Sequence, residues 1–167
     1  MARKLGADGV VFGCLTAEGK VDLPVMQKLM EAAQGLSVTF HRAFDVCRNP
    51  HRALEQIIKL GCNRILTSGQ QSTAEQGIPL LEELQKQATG RITLLAGCGV
   101  NENNIARIAA ETGINEFHFS ARESIQSEMI FKNEAVSMGG TVHINDYERN
   151  VTSIRRVKET IDAALHG

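Results

Sequence analysis

Apolar residues recur along this chain in two alternating rhythms. Short runs with period two give way to longer stretches whose apolar positions lie three and four apart, the patterns of strands and amphipathic helices. The strand-like runs are Val10-Val11-Phe12, Ser37-Val38-Thr39-Phe40, Ile65-Leu66, Ile92-Thr93-Leu94-Leu95 and Phe117-His118-Phe119. Three of them follow the same punctuation: a helix-like ending, a glycine, three residues, then the strand, at Gly6, Gly61 and Gly113. Each glycine suits the left-handed residue that closes a helix before the chain reverses.

The stretches between carry helix starts. Asp22 with Pro24, and Asn49 with Pro50, predict capped helices, the second with Ala53, Leu54, Ile57 and Ile58 as its inner stripe. Ser72 and Glu75 have capping-box spacing, although Gly77 and Pro79 place the helix proper later. Asn101 is expected to cap a helix facing inward through Ile105, Ile108 and Ala109. A last helix, from about Thr152, carries Ile154, Val157, Ile161 and Leu165 at helical spacing. The segment from Arg122 to Tyr147 has no clear period and is long for a connection. Its Met129, Phe131 and Met138 are expected to cover a mouth of the fold or pack the last helix.

Strict alternation of strand and helix means parallel strands joined by right-handed crossovers. Within the strands, Val38 and Phe40 oppose Thr39 and His41, while Phe117 and Phe119 oppose His118 and Ser120. Apolar positions toward helices and polar ones toward a lumen suit a barrel wall, since a doubly wound sheet needs both faces apolar. The expected fold is therefore an α/β, TIM-type (β/α) barrel in a single domain over residues 1–167. About five βα units are visible, whereas the closed eight-stranded form takes about 250 residues. Because the chain opens on a helix tail, the N-terminal units are expected to be missing. The two raw sheet edges would favour a homo-oligomer.

At 167 residues, 43% of them apolar, the chain can bury a core, and its net charge of −1 offers no electrostatic reason to expect nucleic acid. No apolar run approaches the roughly 20 residues that span a bilayer, so no membrane partner is expected. Cys14, Cys47, Cys62 and Cys98 are scattered without a CxxC pair, which points to reduced thiols and a cytoplasmic location.

Several runs resemble the CutC family of copper homeostasis proteins. They are Gly6-Ala7-Asp8-Gly9-Val10-Val11-Phe12-Gly13, Val38-Thr39-Phe40-His41-Arg42-Ala43-Phe44-Asp45, Arg64-Ile65-Leu66-Thr67-Ser68-Gly69 and Phe117-His118-Phe119-Ser120-Ala121-Arg122. Gly97-Cys98-Gly99-Val100, Met129-Ile130-Phe131-Lys132-Asn133 and Met138-Gly139 extend the resemblance over almost the whole chain. It implies a TIM-type barrel linked to copper handling, with this chain matching the C-terminal two-thirds. Cys98 departs from the family, standing in the middle of a turn that is usually glycine-rich.

Parallel α/β folds bind ligands beyond the carboxyl ends of their strands. There the sequence places His41, Arg42, Asp45, Thr67, Ser68, Gly69, Gly97, Gly99, His118, Ser120 and Arg122 as candidate ligand-binding residues. Copper(I) prefers thiolate and imidazole, which makes Cys14, Cys98, His41 and His118 a candidate metal set. None of these pairs has metal-motif spacing, and each cysteine can equally be a small core hydrophobe. A small phosphorylated metabolite is the alternative ligand, through Gly97-Cys98-Gly99, the helix start at Asn101 and Arg122. General acid–base work by His41 or His118, oriented by Asp45 or Thr67, is a third reading, against which Arg42–Asp45 can be a structural clamp. His51, His143, His166, Glu82-Glu83 and Arg155-Arg156 are read as solvated surface.

Overall fold

The two rhythms fold as a five-stranded parallel sheet with a helix in every crossover. The structure is a computed structural model and describes residues 2–133, 135–139, 141–142 and 144–166. Strands β1 (Gly9–Phe12), β2 (Ser37–Phe40), β3 (Arg64–Thr67), β4 (Thr93–Gly97) and β5 (Glu116–His118) lie side by side in chain order. Helices α1 (Leu23–Ala32), α2 (Pro50–Leu60), α3 (Ile78–Ala88) and α4 (Ile105–Thr112) connect them. Right-handed crossovers that always advance in one direction put every helix on the same face. The result is the wall of a (β/α) barrel, an incomplete arc with β1 and β5 as its edges.

The helix-covered face is the core. Val38, Phe40, Ile65, Leu94 and Ala96 from the strands are buried against Leu54, Ile57, Leu81, Leu84, Ile105 and Ile108. Each such large side chain contributes about 1.5–3 kcal/mol by leaving water. The inner face holds the alternate positions, aligned as Val11↔Thr39, Thr39↔Arg64, Leu66↔Leu95 and Gly97↔His118. At its base Arg64 reaches from β3 to β5, Nε donating to Glu116 Oε2 at 2.6 Å and Nη2 to Oε1 at 3.2 Å. This is the polar lining that the alternation in the strands implied.

Local signals place most helix ends. Asp22 Oδ1 accepts the Val25 amide at 3.1 Å, and Asn49 Oδ1 accepts that of Arg52 at 2.9 Å. Gly61 and Gly113 close α2 and α4 in the left-handed region. Two expected starts move. Thr73, not Ser72, accepts the Gln76 amide, while Glu75 reaches away toward Asn104 and Arg107. Asn101 opens a turn instead of a helix, its Oδ1 holding the Asn103 amide, and α4 begins only at Ile105.

The C-terminal region departs furthest from expectation. The stretch without period contains β6 (Arg122–Gln126), which pairs antiparallel with β7 (Glu148–Thr152) as a separate ribbon. Met129, Phe131 and Met138 stand exposed, so they are not packed as the expected cover. Helix α5 (Ile154–His166) packs on α4. It buries Ser153 and Thr160 and half-buries Arg156 and Ala163, leaving Ile154, Ile161 and Leu165 in the open. The docking stripe is mostly small and polar; of the expected apolar positions only Val157 is half-buried, and Ile154, Ile161 and Leu165 face outward. Among the described residues no helix is long and apolar enough to cross a membrane.

Candidate functional site

The chain leaving β2 turns at once into a single 3₁₀ turn, Arg42–Val46. His41 caps it, Nδ1 accepting the Ala43 amide at 3.1 Å, which leaves Nε2 to carry the proton of a neutral ring. The turn delivers Asp45 to the end of β3. Its carboxylate accepts Thr67 Oγ1 at 2.5 Å, the Ser68 amide at 3.0 Å, the Gln70 amide at 3.3 Å and Arg42 Nε at 2.6 Å. Ser68 Oγ stands as a fifth donor at 3.1 Å. With its side chain only 6% exposed and so many donors upon it, Asp45 ties two loops together and has little left for a ligand. The pairing raises the Arg42 pKa above its ordinary value, and Nη2 also donates to Ser68 Oγ at 3.0 Å. Gly69 continues this knot: at φ +67° its missing Cβ would stand 2.5 Å from the Gly77 carbonyl oxygen. Thr67, Ser68 and Gly69 are thus engaged in holding the rim.

Next to the knot lies an open cavity of about 550 Å³ at the carboxyl ends of β3 to β5. Leu66 floors it, Gly99 and Asn101 form one side, and His118, Ser120 and Arg122 form another. Gly97 lies in β4, where a Cβ would press 2.6 Å against Leu66 Cδ1 and 3.3 Å from His118 Cβ. Its role is to let β5 bring His118 in. Three arginines line the cavity: Arg42, Arg122 and Arg156. Arg156 donates through Nε and Nη2, each at 3.0 Å, to the two oxygens of Glu102, and through Nη1 to the Arg122 carbonyl. That pairing holds the Glu102 carboxyl below its usual range. Arg122 has no side-chain partner among the described residues. Two of the three positive charges are matched by Asp45 and Glu102, and among the described residues that of Arg122 is uncompensated.

The metal candidates divide. Cys98 and His118 line this cavity, whereas Cys14 packs against the core and His41 caps its turn. Among the described residues no three His, Cys, Asp or Glu side chains converge as a metal site. Cys98 is the strained member, at φ +81° with Sγ donating to the Ser72 carbonyl at 3.1 Å. All four cysteines are free; burial pushes the Cys47 thiol up and that of Cys62 to about 11. His143 lies outside the described residues.

Sequence reasoning missed Glu102 and Gln70, and it read Arg155-Arg156 as solvated surface, which fails at Arg156 because the Glu102 pair half-buries it at the cavity. Arg156 shares the stripe of Ser153, Thr160 and Ala163, a small-residue period that would have revealed it. Gln70, at φ +57°, links the knot to the next loop, Nε2 donating to the Cys47 carbonyl at 2.7 Å.

Fold and rim define a (β/α)-barrel protein with a cationic cavity at the carboxyl ends of its strands. The chain belongs to the CutC family, whose model matches residues 1–123. The family protein CutC of Bacteroides thetaiotaomicron is 78% identical over 98% of this chain, and that of Bacteroides fragilis 76% over 98%. The chain spans about two thirds of the length of these curated relatives, 66% and 65%. A solved CutC from Streptococcus agalactiae, provisionally named a copper homeostasis protein, superposes with a TM-score of 0.67. It is 33% identical, over 70% of this chain and 58% of its own.

Proposed function

We propose that the cavity bounded by Arg42, His118 and Arg122 binds a small anionic metabolite, a phosphorylated one by preference, in a reducing cytoplasmic setting. The observation that carries this reading is the uncompensated Arg122 guanidinium in a wall whose other arginines are already paired. A guanidinium presents forked donors that match phosphate or carboxylate oxygens. Arg42 is held by Asp45 and Ser68 through Nε and Nη2, which leaves Nη1 available to a ligand. His118 and Ser120 add donors on the same side, and Leu66 gives an apolar floor for the uncharged part of a ligand.

Thermal-shift measurement over a panel of phosphosugars tests it. Stabilisation at millimolar ligand that disappears in Arg122→Ala is the expected result, because a ligand bound only to the folded state raises stability as RT ln(1 + [L]/Kd). No shift across the panel removes the reading.

Copper(I) is the second reading, favoured by Cys98 and His118 lining one cavity. A thiolate and an imidazole are the soft donors that this ion prefers, so the pair fits it as cargo. Titration against a competing chelator under reducing conditions should then show uptake of about one ion per chain, abolished in Cys98→Ser. The open edges β1 and β5 support self-association in the same way. A concentration-independent monomer in light scattering would remove that element.

A further inference from the structure

A second cavity, of about 260 Å³, opens elsewhere on the same rim, between the loop after β1 and the start of α2. Lys20, Arg48, Arg52 and Gln56 line it, with Val21 and Ala53 beneath. Three cations face one small space and no carboxylate lines it. That is a pronounced local excess in a chain whose net charge is −1.

The neighbouring acids are occupied elsewhere. The Glu18 carboxylate accepts Thr16 Oγ1 at 2.8 Å, which lowers its pKa more than Lys20 does. Asp22 caps α1, and Glu55 forms a two-pronged pair with Arg91, both distances 2.8 Å. Lys20, Arg48 and Arg52 make no ion pair among the described residues. Like charges held close repel, and a bound anion relieves that cost.

The cavity is also built. Thr16 to Lys20 form a tight turn, the Thr16 amide donating to the Lys20 carbonyl at 2.8 Å. The Arg48 amide donates to the Gly19 carbonyl at 2.8 Å and fixes the two loops to each other. The Arg52 amide is already held by Asn49, so the cationic side chains, and not the helix end, make the site.

We infer that this cavity is a separate binding site for a phosphate group, free or carried on a small organic molecule. It does not depend on the Arg122 cavity. Isothermal titration at constant ionic strength, with inorganic phosphate and with glycerol phosphate as probes, tests it on the whole chain. In an Arg122→Ala background, phosphate binding should persist and weaken at least tenfold in the Arg48→Ala/Arg52→Ala double variant. Both positions are exposed, so the fold should survive, and an unchanged circular dichroism spectrum checks this. A Lys20→Ala single variant gives the same direction with a smaller loss. Binding of both probes identifies a phosphate-group site, whereas binding of the free ion alone restricts it to inorganic phosphate. If Arg122→Ala alone abolishes all binding, or the double variant binds as tightly as its parent, the second site does not exist. Failure at Arg122 with retention here removes the first reading and leaves this one standing.

Discussion

The two halves of the rim are built on opposite principles. Around Asp45 the carboxylate is saturated: it takes donors from Arg42, Thr67, Ser68 and Gln70, and Gln70 carries the network on to Cys47. Around Arg122 the wall is unfinished, with His118, Ser120 and one guanidinium turned toward an open cavity. A satisfied buried network holds loops in place, whereas an unsatisfied exposed one is free to recognise something. The difference fits a stabilising role for the first half and the binding role proposed for the second, although both contain the same kinds of side chain.

The sharpest way to break this comparison is Asp45→Ala. It leaves the buried Thr67 hydroxyl and two amides without their acceptor, and Arg42 without its counter-charge. Losing one partner of such a network costs about 3–5 kcal/mol. Chemical denaturation should show a loss of that size, with Asp45→Asn in between. A loss below about 1 kcal/mol would mean that the knot is not what holds the rim. The mirror experiment is Arg122→Ala. Stability should change by less than about 0.5 kcal/mol, as for an exposed side chain without partners. Anion affinity should fall at least tenfold, about 1.4 kcal/mol. A variant that loses stability by more than about 1 kcal/mol but keeps its anion affinity would reverse the assignment.

The satisfied half was more legible in the sequence than the binding half. Period-two runs, Asn49-Pro50 and the glycines at 61 and 113 fix strands and helix ends through local chemistry, and those elements are where they were expected. His41 to Asp45 announced themselves as a cluster, and the clamp reading of Arg42–Asp45 agrees with the 2.6 Å bond. Position along a strand could not say which rim groups would be consumed by neighbours, because that depends on how loops after different strands meet. Thus Thr67 and Ser68 looked like ligand residues and turn out to be joined to Asp45, while the Gly69 amide donates to Thr67 Oγ1. Arg156 was hidden for a related reason. Its helix docks mainly through Ser153 and Thr160, so of the hydropathy pattern Ile154, Val157, Ile161 and Leu165 only Val157 is half-buried and the rest track the exposed face.

Acid sharpens the comparison away from the cavity. Arg91, with Gln87, holds the Glu55 carboxyl at about 2, below its ordinary value of 4.5. A carboxylate depressed on folding stabilises above its unfolded pKa and loses that contribution as pH falls through the folded value. The midpoint of thermal unfolding should therefore drop between about pH 4.5 and pH 2, and Glu55→Gln should flatten part of that slope. Ligand binding at neutral pH should not change in this variant, since Glu55 lines neither cavity.

The smallest effect tests whether the binding half carries stored strain. Cys98 holds φ at +81° without being glycine, a conformation that costs an ordinary residue about 1–2 kcal/mol. In return its Sγ–H donates to the Ser72 carbonyl and its own carbonyl accepts the Ala74 amide. Cys98→Gly removes the steric cost but frees the unfolded chain, so the net gain should be about 0.5–1 kcal/mol. Denaturant midpoints measure it. If the strain belongs to the site, the same variant should lose copper(I) uptake while keeping phosphate binding, because the thiol serves the soft ion and Arg122 the anion. Should Cys98→Gly destabilise the fold instead, the thiol is a structural anchor of the β4 loop, and the unfinished half of the rim is more tightly built than its open wall suggests.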